Sequence, residues 1–285
     1  AVDGAAALAK AVEGASVETT LVDEGEHGSD SDGDNSRYDK QHYWDRRFET
    51  EEGYEWLCGF EHVKVLLEEE FPIGETRWRD ARILVLGCGN SPFSRELHDI
   101  AGYQNVTSCD FSAVVIEKMR VKHASSHPAL HWEVADVRAL GEKFSDNAFD
   151  IVIDKACLDA LVCNEGDPWD PNVDTINNMT AALQSVVHVL CPGGVFVSIG
   201  FQQPHFRKRY LQLQGQKFGW EENIVVKKID AGLGYFWFSC PLSQDTSAHC
   251  DGRSCMSRSE GTNNMEKGGR DEGEDSSSEE DDSEV

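Results

Sequence analysis

Two glycines and an acid carry the chemistry open to this chain. Gly87 and Gly89 stand in Leu86-Gly87-Cys88-Gly89-Asn90, and Asp110 follows about twenty residues beyond the second glycine. Glycines at that spacing allow positive φ and let the backbone approach a ligand with no Cβ in the way. An acid at the end of the next strand can accept both hydroxyls of a ribose. The chemistry is therefore a grip on a nucleoside. A dinucleotide fingerprint wants a third glycine at position 92, where a pyrophosphate sits on a helix N-terminus, and this chain has Pro92. No lysine follows in the Gly-Lys-Ser/Thr form, which excludes a phosphate-cradling loop. A ligand with a ribose and no pyrophosphate fits best, and S-adenosyl-L-methionine is the common one.

These residues need strands and helices to hold them. Ile83 to Leu86 is a short apolar run that suits a strand buried on both faces. Ser91 as N-cap and Pro92 at the first helical position start a helix whose apolar face is Leu97, Ile100 and Ala101. Val106 to Cys109 is the second strand, ending in Asp110. Val114, Val115 and Met119 mark the next helix. Leu130 to Val137 reads as a strand ending in Asp136-Val137, where the acid can reach an adenine amino group. Phe149 to Asp154 reads as another, ending in Asp154-Lys155. Open parallel sheets bind ligands beyond the carboxyl ends of their strands, so three acids at consecutive ends mark a site.

Further on, Leu158 to Val162 is expected as a short helix, and Asn164 to Asn172 as a turn-rich insertion showing Trp169 at the rim. Asp174 is expected to cap a helix striped by Ile176, Met179, Leu183, Val186, Val187 and Leu190, with His188 in a polar or packing role. Cys191-Pro192-Gly193-Gly194 stops that helix before a strand over Val195–Ile199. Strands at Ile224–Ile229 and Gly234–Cys240 suit an antiparallel hairpin. The fold class is α/β: a Rossmann-like, mostly parallel seven-stranded sheet with a C-terminal antiparallel hairpin and helices on both faces.

Charge divides the 285 residues. Residues 1–36 carry nine acids against one base and residues 245–285 thirteen against four, leaving −9 of the total −26 for residues 37–244. Both ends lack the apolar groups that offset ordering entropy, so they read as disordered acidic arms around a domain at 37–244. Nine cysteines without a CxxC pair argue against a disulfide framework or a metal site and for a reducing, cytoplasmic setting. No run approaches the ~20 apolar residues of a membrane span. The aromatics from Tyr38 to Phe48, with Tyr54, Trp56 and Phe60, either pack a first helix on the domain or form a lid over a ligand. Basic residues at His205–Tyr210 lead a helix, as a solvated start or as a substrate contact.

Leu190-x-Pro-Gly-Gly before a strand is a familiar feature of Rossmann-like S-adenosylmethionine-dependent methyltransferases. In order, YWDRRF, ILVLGCGNS, NVTSCDFSAVVI, ADVRAL, DKACLDAL, DPW and PHFRKRY resemble the eukaryotic elongation factor 1-alpha lysine methyltransferases over residues 38–240. Val85 stands where general methyltransferases usually carry an acid, as in this family. The resemblance implies that Trp44, Phe48 and Trp56 line the cofactor pocket from an N-terminal lid. It implies Gly87 and Gly89 against the cofactor, Asp110 and Phe111 at ribose and adenine, Asp136 and Val137 at the adenine edge, and Lys155 beside the cofactor. Phe48 replaces a usual tyrosine, and Ala156-Cys157 replaces a usual Gly-Thr, so contacts of those hydroxyl and backbone groups are absent or altered.

The expected function is protein-lysine N-methylation of elongation factor 1-alpha by a monomer. Methyl transfer is an in-line displacement that needs alignment and a neutral nucleophile. Acids or aromatics at the rim can orient the lysine, with Asp154, Asp159, Trp169 and Tyr235 as candidates, and Lys155 is the further catalytic candidate, ordering the reacting end of the pocket. The alternatives are a small-molecule methyltransferase and an inactive cofactor-binding module. The missing [DN]PP[YF] signature after the fourth strand weighs against nucleobase or amide substrates, and the acidic surface weighs against nucleic acid.

Overall fold

The structure is a computed structural model, and it describes residues 37–244. The acidic arms inferred above lie outside those residues. Helices α1 (Gln41–Thr50), α2 (Phe60–Glu70) and α3 (Thr76–Arg79) precede β1 (Arg82–Leu86). Then come α4 (Phe93–Asp99), β2 (Asn105–Asp110), α5 (Ala113–His123), β3 (His131–Val134), a 3-10 helix (Val137–Glu142) and β4 (Phe149–Lys155). A short helix α6 (Cys157–Leu161) leads to a two-stranded ribbon, β5 (Gly166–Asp167) and β6 (Asp170–Pro171). The chain continues with α7 (Val173–Val189), β7 (Leu190–Gly200), α8 (Pro204–Leu211), β8 (Val225–Ala231) and β9 (Leu233–Pro241).

Seven strands form one sheet in the order β3-β2-β1-β4-β7-β9-β8. The pairs from β3 to β7 are parallel, whereas β9 runs antiparallel to both β7 and β8. The order reverses at β1, between β2 and β4, and such a switch point opens a crevice at the carboxyl ends. Leu86 of β1 is level with Cys109 of β2 and Asp154 of β4, so Gly87, Asp110 and Lys155 emerge together at that edge.

Strand alternation sorts side chains into two cores. Ile83, Val85, Ile151 and Ile153 pack with Val63, Leu67, Leu97 and Val115 of α2, α4 and α5 on one face. Leu84, Leu86, Val152 and Phe196 pack with Leu158, Leu183, Val186 and Leu211 of α6, α7 and α8 on the other. Each fully buried aliphatic side chain contributes roughly 1.5–3 kcal/mol, and the strands are apolar on both faces because both are covered.

Several local expectations shift. The α4 helix ends at Asp99, and Ile100 is half exposed rather than part of the core face. α4 starts at Phe93 with Pro92 in the N-cap place and no side-chain cap, so Ser91 is not its N-cap, although Ser91 Oγ accepts from the Phe93 amide at 3.1 Å just ahead of the helix. The cap of α7 is Asn172, whose side chain accepts from the Thr175 amide at 2.8 Å, while Asp174 sits in the first turn and complements the helix dipole. β3 stops at Val134, and Asp136 instead starts the 3-10 helix by accepting from the Arg138 amide. Among the described residues no helix is long and apolar enough to cross a membrane.

Candidate active site

The floor of the crevice is made by the loop after β1. Gly87 and Gly89 have φ of +52° and +49°, in the left-handed region. A Cβ on Gly87 would lie 2.6 Å from Cys157 Sγ, so the loop and α6 touch only because residue 87 is glycine. The Gly89 amide donates to Asp110 Oδ2 at 3.0 Å, and the Ser112 amide donates to Oδ1 at 2.9 Å. Each carboxylate oxygen thus holds one backbone donor and keeps a lone pair. Burial pushes the Asp110 carboxyl up to about 6, although the Ser112 and Gly89 amides pull it down.

The roof is α1 and the segment after it. Trp44 stacks on Phe48 with centroids 5.5 Å apart, and Tyr38, Tyr54 and Trp56 complete an aromatic cluster. Arg47 lies over Trp44, Tyr54 and Trp56 and pairs with Glu51 at 2.6 Å, which fixes the rings from outside. Asn90 ties roof to floor: its Oδ1 accepts from the Tyr54 amide at 3.0 Å, and its Nδ2 donates to the Glu51 carbonyl and carboxylate. Gln41 donates to the Phe111 carbonyl at 2.8 Å, and Ser112 Oγ donates to Asp45 at 2.5 Å. The aromatics therefore cover the crevice rather than only packing a helix.

Between them lies a cleft of about 1090 Å³, mouth included. Trp44, Phe48, Trp56, Gly87, Gly89, Asp110, Phe111, Asp136, Val137 and Lys155 all line it. Asp136 does so with its carboxylate held bidentately by Arg138; burial raises its pKa, but that guanidinium outweighs it and the net shift is down.

Asp154, Asp159, Trp169 and Tyr235 do not line the cleft, so their expected rim placement is corrected. Alternation turns Lys155 toward the roof side and Asp154 toward α7 and α8. Asp154 accepts from Ser198 Oγ at 2.7 Å and from the Leu158 amide at 3.0 Å, fully buried. Asp159 pairs with the equally buried Arg207 and accepts from the Phe201 amide at 3.1 Å. Burial raises the Asp159 pKa while the guanidinium opposes it. Tyr235 is buried in the core facing α2. Trp169 is 69% exposed on the ribbon after α6, stacked against His205.

Residues that the reading of the sequence missed are Glu55, Asn90, Ser91 and Arg138, all of which line the cleft, as does Cys157 at the position marked there as altered. Asn90 and Ser91 directly follow the glycine loop, and Glu55 sits between Tyr54 and Trp56; those neighbours were the available signals.

The donor set fits a nucleoside with a sulfonium tail. Two left-handed glycines bring backbone to the ligand, Asp110 keeps lone pairs for two hydroxyls, and the apolar rings cover a ligand without a pyrophosphate. Comparison with known proteins agrees. A profile for a methyltransferase domain matches residues 79–224. EEF1A lysine methyltransferase 4 of Bos taurus is 41% identical over 191 residues, covering 65% of this chain and 69% of that protein. Its Mus musculus counterpart is 41% identical over 179 residues, covering 62% and 66%. The eEF1A lysine and N-terminal methyltransferase of Homo sapiens is 30% identical over 175 residues, covering 59% of this chain and 22% of that protein. The chain thus spans about two thirds of the length of the first two relatives. It belongs to the methyltransferase-domain family, together with EEF1A lysine methyltransferase 4, and is an S-adenosyl-L-methionine-dependent methyltransferase.

Proposed function

We propose that this chain is a protein-lysine N-methyltransferase whose acceptor is a lysine of translation elongation factor 1-alpha. The observation that carries the reading is the 41% identity to a relative named for that reaction. The sulfonium of the bound donor supplies an electrophilic methyl group. Asp110 holds the ribose hydroxyls, Gly87 and Gly89 admit the ligand to the backbone, and Phe111, Asp136 and Val137 bound the base. Trp44, Phe48 and Trp56 exclude water from above. Lys155 closes the reacting end. Asp154 and Asp159 act indirectly, by fixing α6 and the end of β7. The work of these groups is alignment, which can supply most of what a displacement at carbon needs.

The chain acts as a monomer in the cytoplasm, without membrane or nucleic acid. Its acidic arms at 1–36 and 245–285 flank the catalytic domain and, with the −9 domain, favour encounter with a basic protein. The test is incubation of the purified chain with methyl-labelled donor and a cytosolic extract. One labelled protein band at the size of the elongation factor is expected. Label confined to small molecules would contradict the reading.

A further inference from the structure

The cleft holds an ion pair whose partners come from opposite sides. Lys155 ends β4 on the floor, and Glu55 lies in the roof segment between α1 and α2, a hundred residues away in sequence. The Lys155 side chain is 5% exposed, and its ammonium donates to the Glu55 carboxylate and to the Trp56 carbonyl. The Phe93 ring lies 5.8 Å from the same nitrogen. Ser91 Oγ donates to the second Glu55 oxygen at 2.8 Å and so fixes the carboxylate. A carboxylate, a carbonyl and an aromatic face around one nitrogen are what recognition of a lysine head group requires. The Glu55 side chain is 24% exposed, so the place is reachable from the mouth.

We propose that Glu55 and the Trp56 carbonyl form the receptor for the ammonium of the acceptor lysine, filled by Lys155 as an internal stand-in until the methyl donor binds. The proposal rests on the reading of the acceptor as an amine. The cations lining the cleft are Arg138 and Lys155. Arg138 is committed to Asp136, so among the described residues that line the cleft Lys155 is the cation left for the donor's own carboxylate. Drawing Lys155 toward that carboxylate leaves Glu55 without a counter-charge in a partly desolvated site, which favours an incoming ammonium. The exchange orders binding: donor first, acceptor second. Glu55 is a positioning residue for the acceptor, and Lys155 couples the two ligands.

The test uses n-butylammonium as a head-group probe, read by tryptophan fluorescence and by NMR shifts. In the donor-free protein, Lys155→Met keeps the bulk of the stem and removes the ammonium. It should bind the probe about tenfold more tightly than the wild type, the size of one charge-assisted contact. The double variant Lys155→Met/Glu55→Gln should lose that gain. Saturating the wild type with S-adenosylhomocysteine should produce a similar gain without any substitution, which keeps the test valid if a variant fails to fold. In turnover, Glu55→Gln should lower kcat/KM for the acceptor about tenfold or more, with Glu55→Asp restoring part of the loss, while S-adenosylhomocysteine binds no more weakly, and up to about tenfold more tightly, because Lys155 no longer has to leave a carboxylate. No gain in either arm, or a gain that survives in the double variant, overturns the receptor. Probe binding as expected in a chain that methylates no amine overturns the acceptor reading instead.

Discussion

Asp110, the last residue of β2, and Asp154, one residue before the end of β4, lie on either side of β1, are both buried, and do opposite things. Asp110 accepts from the backbone amides of Gly89 and Ser112 and lines the cleft. Asp154 faces away, held by Ser198 and Leu158, with the Asp159–Arg207 pair behind it. The strand end brings an acid to the edge of the sheet, but the face of the strand decides whether it meets ligand or core. One set should govern binding and the other stability.

The largest effect that separates the two regions is expected behind the sheet. Asp159→Asn leaves the Arg207 guanidinium buried without its partner and cannot be relieved by deprotonation, a loss of roughly 3–5 kcal/mol. The melting temperature should fall by roughly 10 °C, while donor affinity of the folded protein stays near wild type. A change in affinity with no change in melting would break the division. On the cleft side, Asp110→Ala should cost roughly 1.5–3 kcal/mol of donor binding, so calorimetry should read a dissociation constant raised about tenfold or more.

Acidity sharpens the same contrast with a smaller effect. Asp110 titrates at about 6 in the folded protein, above its ordinary value of 3.8, because burial disfavours the charge. Between those values the native state holds a proton that the unfolded chain has lost. The contribution of this group to stability therefore falls as pH rises from about 4 to about 6. Donor affinity should rise over the same window, since the ionised form is the better acceptor for two hydroxyls. Asp159, also raised by burial, adds to the stability trend, so affinity measured by calorimetry across pH 5 to 7.5 isolates Asp110. An Asp110→Ala variant should lose the dependence. Smallest of all, Trp169→Ala should shift stability by less than about 0.5 kcal/mol, because the ring stands mostly in solvent; a larger fall in melting temperature would place it in the core.

What could be read in the sequence was local. Gly87, Gly89 and Asp110 declare themselves because a strand, a turn and a second strand keep a short, characteristic spacing. The mostly parallel α/β sheet follows from alternating strand and helix patterns, whereas the strand order is seen only in the structure. Which way Asp154 points was not legible: β4 is buried on both faces, so Phe149-Asp150-Ile151-Val152-Ile153 offers no polar alternation to mark one side. Asp159 and Tyr235 were misplaced for a different reason: their surroundings are set by Arg207 and α2, far away in the chain. Glu55 was missed because its partner is a hundred residues on, in a stretch with no periodicity. The cap of α7 went to Asn172 over Asp174 because both are good capping residues and only backbone geometry separates them.

Mass spectrometry of elongation factor 1-alpha after incubation with S-adenosyl-L-methionine and either the wild-type chain or Asp110→Ala tests the central claim most directly. The expected result is a lysine of the factor heavier by whole methylene steps with the wild type and about tenfold less of it with the variant when the donor is held below saturation. A factor that gains no mass with the folded wild type, while a small molecule in the same mixture is methylated, would contradict it.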